Sequence, residues 1–444
     1  MMALKGNTRT NTKTNARSSG KAGAEKKSSS SAKPRASLPA RGTPDFQLLI
    51  LTLLLVGFGL VMVFSSSSSL TLASNKFGND PLYFIKRQVV WVVLGTFVMF
   101  TVMNIHFSKF KKWYAPLFIL TLILLLLVAF TERINGAKSW LSIGSLGIQP
   151  TELAKLSIIL YLAALITKKG ERFRDLRTGY IPVMVIVGIV AGLIMMQPDL
   201  GSCLILVATS GLVIYAGGAS MKHILGSIAL LILGVGIVMG AKMGIDALSP
   251  APSTSAISDS YKLDRITAFL DPLADESDSG FNIVQSLIAF GEGGTSGIGF
   301  GQSVQKLHYL RYPYTDFIFA IVGEELGFIG TSIFLLLYLY FIWRGILIAL
   351  RCTDPFGTLV GVGIMGLIAI QAFVNIGGVT KTIPLTGVTL PFISYGGSSL
   401  LVSMLCMGIM LSISRESTRP AKEEVTKSVT TVREIRNART AGGR

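Results

Sequence analysis

Runs of apolar residues long enough to cross a bilayer repeat along most of the chain, separated by short polar turns. A helix needs about 20 residues to span the hydrocarbon core. On that measure the pattern predicts spans near 46–65, 85–104, 114–130, 152–167, 180–196, 200–216, 224–241, 315–342, 357–379 and 398–413, ten in all. One interval breaks the rhythm. Residues 242–312 form a polar, acidic, glycine-punctuated loop of about seventy residues, a length that is uncommon and usually functional or disordered. It carries Asp271, Asp275 and Asp278, then an apolar stretch at Ile283–Phe290, then glycines over Gly291–Gly301. In the apolar stretch Ile283, Val284, Leu287 and Ile288 make one helical face, with Gln285 and Ser286 opposite. That face is expected to lie on the outer bilayer surface or to pack on the helix bundle. The glycine run has neither the Gly-Lys-Ser/Thr of a P-loop nor a GxGxxG fingerprint, so no nucleotide site is read from it.

Charge sets the orientation and checks the count. The first 44 residues hold about ten Lys and Arg and almost no acids. Basic residues return at Lys109, Lys111 and Lys112, in Lys168–Arg177, in Arg344–Arg351 and after Arg415. Ten spans with both termini inside put all of these on the cytoplasmic side, as the positive-inside rule requires. The loop 242–312 then lies outside, with segments 66–84, 131–151 and 380–397. The expected fold class is an all-α polytopic membrane protein of about ten transmembrane helices with one large extracellular loop. Its parts are a disordered basic cytoplasmic tail (1–44), a transmembrane domain (45–415) and a cytoplasmic C-terminal tail (416–444).

Composition agrees, since only 15% of the 444 residues are charged and the mean hydropathy is +0.59. The formal charge of +17 points to a tail beside anionic lipid, not to nucleic acid. The first apolar run follows 44 polar residues and is itself span length, so no cleavable signal peptide is read. Cys203, Cys352 and Cys406 stand at unrelated spacings and suggest neither a disulfide framework nor a metal site. His106, His223 and His308 are scattered and give no zinc site.

Ionisable groups inside or at the mouths of the spans carry the chemistry, because each costs about 2.5–3.5 kcal/mol at bilayer depth unless it is paired or lines a cavity. Glu152 and Lys155 are three apart and share a helix face, behind a Pro150 that suits a first turn. The plain reading is a salt bridge at a helix end; the sharper one is a cavity wall that meets an anion through Lys155. Asp199 in Gln197-Pro-Asp-Leu-Gly201 suits the cap of the next helix. Asp316 and Glu324 are eight apart on the eighth span, roughly 12 Å along a helix, with Glu325 beside them. So many carboxylates imply a polar interior or a helix end outside the hydrocarbon. Lys381 opens the last external loop, whose Pro384, Pro391, Gly396 and Gly397 argue for bent backbone dipping toward the membrane.

At these residues the sequence resembles the SEDS family (shape, elongation, division and sporulation proteins), closer to its FtsW/SpoVE branch than to RodA. The matching stretches are Asn135-Gly-Ala-Lys-Ser-Trp140, Ile148-Gln-Pro-Thr-Glu-Leu-Ala-Lys155, Gln197-Pro-Asp-Leu-Gly201 and Gly301-Gln-Ser-Val-Gln-Lys-Leu307. They continue with Thr315-Asp-Phe-Ile-Phe-Ala320, Glu324-Glu-Leu-Gly327 and Leu390-Pro-Phe-Ile-Ser-Tyr-Gly-Gly-Ser-Ser399. The resemblance runs from about Pro44 to Arg415. It implies a peptidoglycan glycosyltransferase that polymerises lipid II on the outer face of the cytoplasmic membrane. The substrates would be lipid II and the nascent glycan strand, and the partners a class b penicillin-binding protein and other division proteins.

The family's essential loop aspartate maps onto Asp275, in Asp271-Pro-Leu-Ala-Asp275-Glu-Ser-Asp278-Ser-Gly-Phe281. Glu276 stands where that pattern has Pro, and Asp278 is an added acid. Lys138 stands near the family's usual Arg, and Arg311-Tyr-Pro-Tyr314 departs from the usual approach to Thr315-Asp316. Asp275 is expected to be the general base, with Asp271 and Asp278 as alternates. Lys138, Glu152, Lys155, Arg265 and Lys381 are the expected substrate-binding groups. The Lys and Arg residues among them, or a divalent cation such as Mg or Mn, would meet the pyrophosphate charge. The rival function is a flippase for lipid-linked precursor, against which no internal repeat is seen and the acidic loop lies on one side.

Overall fold

The computed structural model describes residues 42–129, 141–143, 146–197, 199–231, 233–234, 268–272, 279–307 and 309–417. These fall in one compact unit that begins at Arg41. The chain runs through α1 (Phe46–Leu72), α2 (Tyr83–Met103), α3 (Phe110–Ala129) and, after a two-stranded antiparallel ribbon, α4 (Pro150–Lys169). The ribbon pairs β1 (Leu141–Ile143) with β2 (Leu146–Ile148). Then come α5 (Ile181–Met195), α6 (Leu200–Ala216) and α7 (Met221–Leu231). The long loop carries α8 (Ser279–Gly293), and α9 (Ile318–Leu350), α10 (Pro355–Val379) and α11 (Gly397–Ser417) complete the order.

Nine of the ten expected spans each overlap one helix, and the described part of the seventh, 224–231, lies in α7, while most of the rest of that span lies outside the described residues. Among the described residues eight helices are long and apolar enough to cross a membrane, and α6 and α7 are shorter apolar helices. The starts are set by local chemistry. Asp45, Asp199 and Asp354 each accept a backbone N–H of the turn they precede, and Pro150 and Pro355 occupy first turns. α1 runs seven residues past its expected end, through Ser65–Ser69. Its hydroxyls turn back on the helix, as Ser67 Oγ donates to Val63 O at 2.7 Å and Thr71 Oγ1 to Ser68 O at 3.0 Å. Such back-bonding gives buried hydroxyls a partner within their own helix.

Contacts bring the start of α1 and the ends of α2, α9 and α11 to one face. Asp45, before α1, pairs with Arg344 near the end of α9 at 2.5 Å, and its N–H donates to Ser414 Oγ in α11 at 3.0 Å. Arg415 donates to Met103 O at the end of α2 at 3.3 Å. The segments expected on one basic face therefore meet on one face. At the opposite face Tyr395 N donates to Tyr314 O at 2.8 Å. Most of α4, α10 and α11 is buried, whereas α2 and α3 leave most of their apolar surface outward, as lipid-facing helices do.

Candidate active site

The described part of the long loop is fastened to the bundle residue by residue. α8 packs Asn282, Ile283, Ser286 and Ala289 inward, while Phe281, Leu287 and Ile288 are exposed. The expected apolar face is divided: Ile283 packs on the bundle with Ser286 beside it, whereas Leu287 and Ile288 lie on the open side, as an apolar face at the bilayer surface would. The reason is a polar interior. Ser286 Oγ donates to Val379 O at 2.7 Å, satisfying one of the carbonyls that the end of α10 leaves unpaired. Asn282 Oδ1 accepts Arg311 N at 3.0 Å, tying the outgoing and returning arms of the loop together.

Beyond α8 the glycine run has a structural use. α9 is broken at Gly327, whose φ of 64° is a left-handed conformation that glycine adopts without steric cost. The segment 294–299 fills the gap. Ile298 N and Gly299 N donate to Glu324 O and Glu325 O, both at 3.1 Å. In return Phe328 N donates to Gly294 O at 2.9 Å and Ile329 N to Thr295 O at 3.1 Å. A Cβ at Gly327 would strike Gly297 N, and one at Gly297 would strike Glu325 O. The approach is possible only between glycines.

The two carboxylates above the break hold the next stretch, 303–306. Glu324 is fully buried and accepts from Ser303 Oγ at 2.6 Å, Val304 N at 2.7 Å and Gln305 N at 3.3 Å. Glu325, also buried, pairs with Lys306 Nζ at 2.9 Å and accepts from Ser65 Oγ of α1 at 2.6 Å. Lys306 Nζ also donates to Ser65 Oγ at 3.3 Å. Asp316 lies before α9 rather than on it, so the helical alignment expected of Asp316 and Glu324 does not occur.

A second polar centre lies between α4, α10 and the last loop. Lys155 Nζ donates to Glu152 Oε1 at 2.9 Å and to Gln371 Oε1 at 3.0 Å, with both charged residues buried. Gln371 Nε2 donates to Thr389 O at 3.0 Å, and Asn375 Nδ2 to Val388 O at 2.7 Å and Asp316 O at 2.8 Å. The last loop thus folds back into the bundle as its prolines and glycines led one to expect. Its carbonyls meet side-chain amides, which is what irregular backbone requires at membrane depth.

Of the expected site residues, Lys138, Arg265 and Asp275 lie outside the described residues, as does Asp278. Asp271 is exposed at the near end of the loop. Glu152 and Lys155 are brought together. Lys381 stands apart from them, half-buried with a φ of 55°, at the end of α10. That is roughly 12 Å of helical rise beyond Gln371. It follows by two residues the Val379 carbonyl that anchors α8. Asp199 caps α6 through Ser202 N at 3.0 Å and accepts from Gln149 Nε2 at 3.4 Å, just before α4. The residues that sequence reasoning did not single out are Lys306, Ser65, Gln371 and Asn375. The altered Arg311–Tyr314 stretch seats Tyr314 on Phe84, ring centres 4.2 Å apart. Burial pushes the Tyr314 phenol well above its ordinary range. Among the described residues no group of three or more His, Cys, Asp or Glu is placed to hold a metal ion; Asp275 and Asp278 lie outside that search.

Fold and site define a class: a multi-pass helical membrane protein with two buried charged centres and one long loop anchored to the bundle. The chain belongs to the FtsW/RodA/SpoVE family of cell cycle proteins, whose pattern matches residues 46–419. Stage V sporulation protein E of Bacillus subtilis (strain 168) is 42% identical over 84% of this chain and 98% of its own length. A protein of Geobacter sp. (strain M18) named probable peptidoglycan glycosyltransferase FtsW is 37% identical over 83% of this chain and 96% of its own. Among solved structures, a chain from work on the structural coordination of polymerization and crosslinking by a peptidoglycan synthase complex is similar. It has TM-score 0.69 and 28% identity, covering 85% of this chain and 99% of that one. The rod shape determining protein RodA of Thermus thermophilus is also similar, with TM-score 0.60, 25% identity, and coverage of 85% and 98%.

Proposed function

We propose that this protein is a peptidoglycan glycosyltransferase that polymerises lipid II into glycan strands at the outer face of the cytoplasmic membrane. The observation that carries this reading is the family match over nearly the whole helical domain, with relatives named for that activity along almost their full length. Asp275 is the general base. Its carboxylate takes the proton of the sugar 4-hydroxyl of the acceptor lipid II as the oxygen attacks the anomeric carbon of the donor strand. A positioned base contributes about 10²–10⁴-fold. The lipid pyrophosphate leaves from the opposite side, so one displacement inverts the anomeric carbon from α to β. Its charge is met by cations, which removes the need for a general acid. Lys138, Arg265 and Lys381 supply charge from the loops. Lys155 supplies it from the bundle, oriented by Glu152 and Gln371.

In this reading a class b penicillin-binding protein crosslinks the product, other division proteins attend the pair, and the site of action is the division or sporulation septum. Both termini are cytoplasmic, with the basic tail 1–44 and the tail 416–444 flanking the transmembrane domain 45–415. A transporter of lipid-linked precursor is not favoured, because relatives from Geobacter carry the name probable peptidoglycan glycosyltransferase. Detergent separates the two. Full-length protein with its class b partner should convert lipid II into muramidase-sensitive polymer in micelles, where no second compartment exists. Lipid II translocation in liposomes without any polymer in micelles would make it a transporter.

A further inference from the structure

We infer that the buried contact of Lys306, Glu325 and Ser65 is a positioning device for the loop that carries the catalytic aspartate. This rests on the reading of Asp275 as the base. The Lys306 and Glu325 side chains are 5% and 0% exposed, and the ammonium is shared between the Glu325 carboxylate and the Ser65 hydroxyl. The partners come from three elements: the stretch 303–306, the outer part of α9 above its break, and α1. The described stretches beside them are tied down at named points. Glu324 holds Ser303, Val304 and Gln305, the glycine segment 294–299 is hydrogen-bonded into the break, and α8 is pinned at Ser286 and Asn282. The first residue of α8 is Ser279, four residues after Asp275. The fastened unit therefore begins almost at the proposed base and ends at α1.

Stability alone is a poor account of such a pair. Taking two charges out of water offsets most of their attraction, and exchange for apolar residues of similar volume is often neutral or stabilising. What an ion pair adds is register. It fixes which loop residue faces α1, and a misplacement of about 1 Å at a reacting group is enough to cost 10²-fold in rate. Lys306 is thus a positioning residue, acting through the loop and not on substrate.

The test uses the full-length chain with its class b partner, labelled lipid II as probe, and the variants Lys306→Met, Lys306→Met/Glu325→Gln and Asp275→Asn. The double variant removes both charges together and leaves no unpaired carboxylate. Its expected behaviour is a thermal midpoint and KM for lipid II like the parent's, with kcat lowered tenfold or more. Lys306→Met alone should be at least as slow and melt earlier. A double variant that melts like the parent and keeps the parent kcat would overturn the inference, because the pair would then only balance charge. If the double variant melts earlier than the parent, Lys306→Arg/Glu325→Asp, which keeps both charges, decides: recovery of the midpoint without kcat supports positioning, and recovery of both together overturns it. Asp275→Asn is read separately. Parent-like polymerisation by that variant would sink the assignment of the base, whatever the pair does.

Discussion

Two buried ion pairs among the described residues, Glu152–Lys155 and Lys306–Glu325, look alike and are built differently. Glu152 and Lys155 sit one turn apart on α4, so the helix itself holds them together and Gln371 only adds a tie to α10. Lys306 and Glu325 are 19 residues apart, and their shared hydroxyl, Ser65, is 241 residues from Lys306. The first pair survives any motion that leaves α4 helical. The second exists only while α1, α9 and the loop keep their places. One is a feature of a helix face, the other a reporter of tertiary arrangement.

The sharpest way to break the comparison is to remove one charge from each. Lys155→Met and Lys306→Met both strand a buried carboxylate, and each should cost about 3–5 kcal/mol, read as a lower thermal midpoint in detergent. Restoring neutrality with Glu152→Gln should recover most of the loss on α4. Next comes Gly327→Val, which forces a branched side chain into a left-handed φ and against Gly297 N. A loss of about 3 kcal/mol is expected, whereas Gly188→Ala in α5, with open space around it, should change little. Glu324→Gln keeps the shape but weakens three charge-assisted bonds to 303–305, and should cost about 1–3 kcal/mol. A wild-type midpoint for that variant would detach the stretch from the account.

The smallest effect lies at the solvent-exposed carboxylate Asp175. Hydrogen bonds from Thr178 Oγ1 and N hold it below the usual carboxylate range. Folding is therefore favoured by its ionised form above that range, and the contribution is lost as pH falls through the lowered pKa. An Asp175→Asn variant should lag the parent slightly in midpoint near neutral pH and draw level in acid.

Much of this was legible in the sequence, for physical reasons. Span length and hydropathy located the helices, with starts closer than ends: α1 and α9 run seven and eight residues past their expected ends. The three-residue spacing placed Glu152 on Lys155, and Asp199 and Pro150 announced their caps. The break at Gly327 was not legible, because the hydropathy of α9 continues through it and the groups that satisfy it come from 294–299. Lys306 was hidden for the same reason: its partners are remote in the chain. Periodicity gave α8 an apolar face but not its direction, because the carbonyl that the interior offers Ser286 comes from α10. The candidate site itself was legible only through resemblance, since Asp275, Asp271 and Asp278 look alike as isolated acids in a polar loop.

The central claim is that Asp275 serves as the base of lipid II polymerisation. Its most direct test is the rate of polymer formation by the Asp275→Asn protein beside the parent, each full length and with the class b partner, in detergent. Loss of a positioned base predicts a rate about 10² or more below the parent, at an unchanged thermal midpoint. Polymerisation at the parent rate would contradict the account and move the search to Asp271 and Asp278.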